Sequence, residues 1–298
     1  MTVKMTMMLR SYLLLSLAVL QQQQTLAFVP PPTTASKTRS TVQATMNSQS
    51  KIDPSENHDS SSTVDEHSGP RLIFPGGGLF FYWQAGVISH FQEEGYNFSN
   101  AHLSGASAGA LSATLAATGV DFYEATELAL SLSEEAGVWD RPLGLQGIWG
   151  DMIHTWLDEL LPHDADEMVS EKLHILVTPV PSFGKQKINK FETRDDLIHA
   201  NMASVHLPWF LNGDLTKEFR GQSVIDGSFL AKPSDYLDNE MHVDNALILD
   251  FKRDPVMRDR SSDFVNPGKG KQFIWDILEQ GKRHAQIMDK QGDFRILQ

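Results

Sequence analysis

The 298-residue chain contains no cysteine. That excludes a disulfide-stapled scaffold, a thiolate zinc site, an Fe–S cluster and a cysteine nucleophile. The chain also lacks an excess of positive charge, its formal net charge being −13. The first 50 residues hold four basic side chains (Lys4, Arg10, Lys37, Arg39) and no Asp or Glu, which leaves 21 basic against 38 acidic residues in the remainder. A body that acidic does not neutralise a phosphate backbone, so nucleic acid is excluded as a partner. A purely electrostatic grip on anionic lipid is disfavoured for the same reason. Apolar residues, at 41%, are not scarce, which excludes wholesale disorder.

The apolar run over residues 12–20 follows Lys4 and Arg10 and is shorter than the ~20 residues a membrane span requires. Basic residues, a short apolar run and the small-residue site at Thr25-Leu26-Ala27 read as a signal peptide over residues 1–27. Residues 28–50 are rich in Ser and Thr and free of acids, the composition of a transit peptide. The junction Leu26-Ala27-Phe28-Val29-Pro30 resembles the Ala-Phe-x-Pro junction of plastid preproteins in algae with complex plastids. The expected address is therefore a plastid; the alternative is simple secretion, or retention in the endoplasmic reticulum, followed by a linker. Residues 51–69 are polar and read as linker. With no internal repeat and no second composition boundary, residues 70–298 are expected to form one catalytic domain.

Within that body, short apolar segments alternate with stretches of helical spacing. Strands are predicted at 71–74, 101–104, 173–180, 187–191, 223–225 and 245–251. Helices are predicted at 79–94, 110–118, 121–137, 145–161, 195–203 and 272–289. The alternation predicts an α/β fold with a mainly parallel central sheet flanked by helices.

Gly105-Ala106-Ser107-Ala108-Gly109 fits G-x-S-x-G, the nucleophile elbow. Gly105 and Gly109 remove Cβ atoms that would collide across a sharp strand-to-helix turn, and Ser107 then stands at a helix N-terminus whose amides suit a developing oxyanion. The competing reading is a small-residue turn packing a helix on a sheet. Pro75-Gly76-Gly77-Gly78 lies upstream, also between a strand and a helix. It is not a dinucleotide fingerprint, because Phe81 occupies the sixth position, and it lacks the Lys-Ser/Thr of a phosphate-binding loop. An oxyanion loop remains, with a tight turn as the bland alternative.

The serine needs a base. A Ser–Asp–His triad in that chain order would draw on residues such as Asp244 and His284, but that fold requires several elements before the elbow and few ordered residues precede Ser107 here. A Ser–Asp dyad would use Asp226, which ends an apolar strand and is followed by Gly227; partial burial would raise its basicity. Taken alone, Asp226 reads as a hairpin turn residue.

Gly76-Gly77-Gly78, then Gly105-Ala106-Ser107-Ala108-Gly109-Ala110-Leu111, then Asp226-Gly227, in this order, resembles the patatin-like phospholipase family over roughly residues 70–251. Leu207-Pro208-Trp209-Phe210 also resembles the family's segment before its Asp-Gly strand. The resemblance implies a serine acyl hydrolase of polar lipids or glycerides. Ser107 would be the nucleophile, Asp226 the base, Gly227 part of the base motif, and Gly76, Gly77 and Gly78 the oxyanion loop. No metal or cofactor is implied. The implied partner is lipid of a membrane or lipid droplet, met by transient surface contact. In a plastid the abundant substrates would be galactolipids and phosphatidylglycerol. Two departures stand out: Phe81 replaces the last glycine of the loop, and Ser228 follows Asp226-Gly227 where Gly or Ala is commoner. Phe81 leaves open a weakened, lipid-binding pseudoenzyme, and an acyl-enzyme also permits transfer to an alcohol.

Two aromatic stretches admit both core and substrate roles. Leu79 to Trp83 follows the glycine loop directly, and Trp149, Met152, Trp156 and Leu160 recur at helical spacing. His163-Asp164-Ala165-Asp166 matches no metal-ligand spacing and reads as a solvated acidic loop.

Overall fold

The computed structural model describes residues 69–98, 100–237, 246–260, 263–265 and 270–297. The signal, transit and most of the linker segments expected over residues 1–69 lie outside the described residues, as does Asp244.

Four strands form the parallel heart of the sheet. β1 (Arg71–Phe74) lies between β2 (His102–Ala106) and β7 (Ala246–Ile248), and β2 lies beside β3 (Leu173–Pro179). The free edge of β3 is shared by two antiparallel partners. β4 (Gln186–Ile188) takes its middle, and β6 (Gln222–Ile225) takes its end at Thr178 and Pro179. β5 (Lys217–Phe219) closes that side by pairing with β6. The sheet is therefore mixed, parallel from β7 to β3 and antiparallel where β4, β6 and β5 pair beyond it. Residues 187–191 were expected to be a strand; the pairing with β3 runs from Gln186 and stops at Ile188, opposite Ile175. β5 was not foreseen, since Lys217-Glu218-Phe219 carries no apolar run.

The helices are α1 (Phe81–Glu93), α2 (Ala108–Ala117), α3 (Phe122–Glu135), α4 (Trp149–Leu160), α5 (Ala165–Val169), α6 (Arg194–Ser204), α7 (Pro255–Arg258) and α8 (Gly270–Gln291). Asp121 caps α3 by accepting the Glu124 amide at 2.9 Å, and Thr193 caps α6 by accepting the Asp196 amide at 3.1 Å. α4 starts four residues later than its periodicity predicts, because residues 145–148 turn. The expected acidic loop at 163–166 instead leads into α5, with Ala165 and Val169 buried.

Leu72, Phe74, Leu103, Ile175 and Val177 point from one sheet face into the large core under α1, α2 and their neighbours. Ile73, Ala106, Leu176 and Ile248 point the other way and are covered by Tyr236 and Leu237. α8 lies along α1 at backbone contact: a Cβ on Gly86 would sit 1.9 Å from the Leu278 carbonyl oxygen, and one on Gly281 would sit 2.0 Å from that of Trp83.

Candidate active site

Ser107 occupies the single residue between β2 and α2, with φ 55° and ψ −132°. That left-handed value is costly for a residue with a Cβ and is retained only where the surroundings dictate it. The two glycines of the motif allow those surroundings. A Cβ on Gly105 would lie 2.2 Å from the Gly109 carbonyl oxygen, and a Cβ on Gly109 would lie 1.9 Å from that of Phe74. α2 thus presses onto the end of β1 and aims its N-terminus at the Ser107 hydroxyl.

Asp226 follows β6 directly. Its backbone is held on both sides, the amide donating to the His206 carbonyl at 2.9 Å and the carbonyl accepting from the Thr178 hydroxyl at 2.9 Å. Gly227 lets the chain pass against β3, since a Cβ there would sit 1.9 Å from the Leu176 carbonyl oxygen. The structure thereby brings Ser107 and Asp226 together across 119 positions of sequence: the hydroxyl donates to Asp226 Oδ2 at 2.6 Å. Both are buried, with 7% and 3% of their surface exposed. His284, the alternative partner, is elsewhere, 3.9 Å from Asp254 and tilted against the Trp83 ring.

The other carboxylate oxygen, Oδ1, accepts two bonds from Ser228, 2.8 Å from its amide and 2.6 Å from its hydroxyl. Burial pushes the Asp226 carboxyl above the usual range, while the Ser107 and Ser228 hydrogen bonds and the charge of Lys185 pull it back down. Lys185 comes from the turn between β3 and β4. Its ammonium donates to the Thr178 hydroxyl at 2.7 Å and to the Phe229 carbonyl. Burial lowers the Lys185 pKa to about 8, opposed by Asp226 and Asp235.

The glycine loop lies beside this pair. A Cβ on Gly76 would sit 2.7 Å from Ser228 Cβ and 3.0 Å from Ser107 Cβ, so only glycine lets the loop lie against both. The buried Tyr236 hydroxyl lies on the Gly76 side of the loop, and Gly76, Gly77 and Gly78 are its candidate donors. Gly78 has φ 56° and its Cα lies against the Phe264 carbonyl, which accepts the Leu79 amide at 2.7 Å. Gln84 of α1 pins the loop from below: its side-chain amide donates to the Pro75 and Leu249 carbonyls, each at 3.0 Å, and its oxygen accepts from Ser112 of α2 at 2.7 Å.

An apolar cavity opens from Ser107 between α2, α3 and α4. Leu79, Phe81, Leu111, Trp149, Met152 and Trp156 are among its walls. The aromatic segments read from sequence therefore do both jobs: Phe80 and Trp83 turn into the core while Leu79, Phe81 and Tyr82 face the cavity. Phe81 adopts φ −44° and ψ −45°, right-handed helical values that require no glycine. Its ring meets Trp156 edge-on with centroids 5.4 Å apart, so it walls the cavity from outside the loop's turn.

Sequence reasoning missed Gln84, Ser204 and Lys185. Ser204, the last residue of α6, accepts the Ser107 amide at 2.9 Å, donates to the Leu176 carbonyl at 2.7 Å and, through its own carbonyl, accepts the Gly227 amide at 2.9 Å. Gln84 and Ser204 are polar residues among apolar neighbours, which was the one available signal; Lys185, between Gly184 and Gln186, offers none. Among the described residues, no three His, Asp or Glu side chains converge as a metal cluster.

A family model described as patatin-like phospholipase matches residues 72–234, more than half of the chain. Human patatin-like phospholipase domain-containing protein 2 is 34% identical over 160 residues, covering 53% of this chain and 32% of that protein. Mouse omega-hydroxyceramide transacylase is 28% identical over 168 residues, covering 55% of this chain and 28% of that protein. Mouse 1-acylglycerol-3-phosphate O-acyltransferase Pnpla3 is 28% identical over 126 residues, 41% of this chain and 30% of that protein. The matched region thus spans about a third of the length of these curated relatives.

Proposed function

The chain belongs to the patatin-like phospholipase family, and from that premise we propose that it is a serine acyl hydrolase acting on acyl esters of polar lipids or glycerides through Ser107 and Asp226. The observation that carries the proposal is the 2.6 Å hydrogen bond from Ser107 to Asp226 Oδ2 at the head of the apolar cavity.

The acyl chain lies in the cavity, which excludes water from it and sets the ester carbonyl over Ser107. Asp226 Oδ2 accepts the hydroxyl proton as Ser107 Oγ bonds to the carbonyl carbon. The resulting oxyanion is met by amides of the Gly76, Gly77 and Gly78 loop and by the N-terminal amide of α2 at Ala108, each well-placed donor being worth about 3 kcal/mol. Collapse expels the alcohol, which takes the proton from Asp226. Water, activated by the same carboxylate, then releases the fatty acid and frees Ser107. An acceptor alcohol in place of water gives acyl transfer, an outcome that the transacylase and acyltransferase names among the relatives keep in view.

The test is covalent labelling with a fluorophosphonate and turnover of a medium-chain p-nitrophenyl ester. Wild type should label on Ser107 and release p-nitrophenol, while Ser107→Ala and Asp226→Asn should each lose about 1,000-fold or more in turnover. Absence of labelling in wild type would favour a lipid-binding pseudoenzyme, and retained turnover in Asp226→Asn would overturn the dyad. Added glycerol or lysolipid acceptors, with products separated, divide hydrolysis from transfer. We further propose that residues 1–50 address the chain to a plastid, on the strength of their acid-free composition and the Ala27-Phe28 junction; a fluorescent reporter fused to them should accumulate there, and secretion of the reporter would refute it.

A further inference from the structure

The base candidate is gripped in an unusual way. Asp226 is almost fully buried, an environment that favours the protonated acid, and a protonated Asp226 cannot take the Ser107 proton. The groups facing it come from several elements. Ser107 donates to Oδ2 from the β2–α2 corner. Ser228, on the Asp226 turn itself, donates both its amide and its hydroxyl to Oδ1. Lys185, from the β3–β4 turn, reaches the Phe229 carbonyl and the Thr178 hydroxyl, and Thr178 in turn holds the Asp226 carbonyl. Tyr236 stands nearby as a neutral phenol. His206 meets Asp226 through its backbone carbonyl. Asp235 offsets part of the Lys185 charge, and Asp250 faces Tyr236.

Lys185 thus ties both ends of the turn that carries the base, and it is the one cation among these groups. Ser228 fills both acceptor directions of a single oxygen. A carboxylate bound in that way cannot rotate about its Cβ–Cγ bond without breaking two short bonds, so Oδ2 is left to Ser107 alone. Ser228 also lies against the Gly76 backbone, where a Cβ would come within 2.8 Å of its hydroxyl. The same hydroxyl therefore spaces the base from the glycine loop.

We propose that Ser228 is a positioning residue for the acyl-transfer reaction, holding Asp226 ionised and oriented toward Ser107, with Lys185 as the half-buried counter-charge. This rests on the Ser107–Asp226 reading above. A hydrogen bond to a charged acceptor, when deleted, moves the acceptor's pKa by about one unit. The rate of fluorophosphonate labelling and of ester turnover should fall on the acid side with the protonation of Asp226. In Ser228→Ala that acid limb should move up by about one pH unit, and the rate should recover toward wild type above it. Lys185→Met should move the limb in the same direction.

A structural defect alone would lower the rate by the same factor at every pH, and a limb superimposed on wild type in Ser228→Ala would overturn the proposal. If the alanine variant lacks a native circular dichroism spectrum, Ser228→Gly deletes the same hydroxyl and carries the same two outcomes. Asp226→Asn separates this inference from the reading beneath it. Lost turnover in Asp226→Asn with an unmoved limb in Ser228→Ala overturns the positioning role and leaves the dyad. Retained turnover in Asp226→Asn overturns both.

Discussion

At the scale of single residues, the site is set by where a side chain is missing as much as by where one is present. Gly109 has no Cβ, and that is what allows α2 to reach the end of β1: Gly109→Ala would place a methyl 1.9 Å from the Phe74 carbonyl oxygen. Backbone does not yield as a flexible side chain does, so the variant should lose about 3 kcal/mol, measured by urea denaturation. Gln84 is the opposite case, a buried side chain whose polar atoms are all engaged by the Pro75 and Leu249 carbonyls and Ser112. Gln84→Leu preserves volume but strands those partners, each at about 1–3 kcal/mol. The expected result is a stability loss of about 2–4 kcal/mol together with a turnover number about tenfold lower at little changed KM, because the amides of the glycine loop act on the transition state. A stability loss with unaltered turnover would show that Gln84 serves the core alone.

Among elements, the α1–α8 pair holds the helix that follows the glycine loop. Gly86 and Gly281 let the two backbones touch, and polar ties close the ends. Trp83 and Gln280 both donate to Asp254, at 3.0 and 2.9 Å. At the far end Asp289 accepts from Tyr96 at 2.6 Å and meets His90 at 2.9 Å. The Tyr96 hydrogen bond, with help from His90, holds the Asp289 carboxyl below the usual range despite some desolvation. A carboxylate whose pKa is depressed on folding contributes stability that is present above its unfolded value near 3.9 and is lost as pH falls through the folded value. Asp289→Asn should therefore be less stable than wild type at neutral pH, and the difference should shrink as pH drops below about 4. Urea midpoints for both proteins at pH 7 and at decreasing pH measure this; a gap that does not depend on pH would place the effect in packing.

At the scale of the molecule, the sheet separates two unequal layers, and the cavity lies in the thicker one. Among the described residues no helix is long and apolar enough to cross a membrane. On the proposed function a lipid ester reaches Ser107 through the cavity mouth. Leu111, one turn into α2 from Ser107, lines the cavity. Leu111→Trp fills space that an acyl chain would use, and turnover of long-chain p-nitrophenyl esters should fall about tenfold more than that of acetate or butyrate esters. Equal loss across chain lengths would mean that the acyl chain lies elsewhere.

The amino-acid sequence by itself determined the features that depend on neighbours along the chain. The elbow at Gly105 to Gly109, the alternation of strand and helix, and the caps at Asp121 and Thr193 follow from sterics and hydrogen bonds over a few residues. Asp226 was readable as a candidate base from its strand end and Gly227, but its pairing with Ser107 was favoured over a turn residue only by resemblance, because nothing local encodes a contact 119 positions apart. Tertiary structure alone decided the rest. Which way Phe81 turns and how Ser228, Lys185 and Ser204 surround the dyad depend on elements distant in sequence meeting at one end of the sheet. The basicity of Asp226 belongs to that second group, since a carboxylate's proton affinity is set by its burial and its neighbours in space.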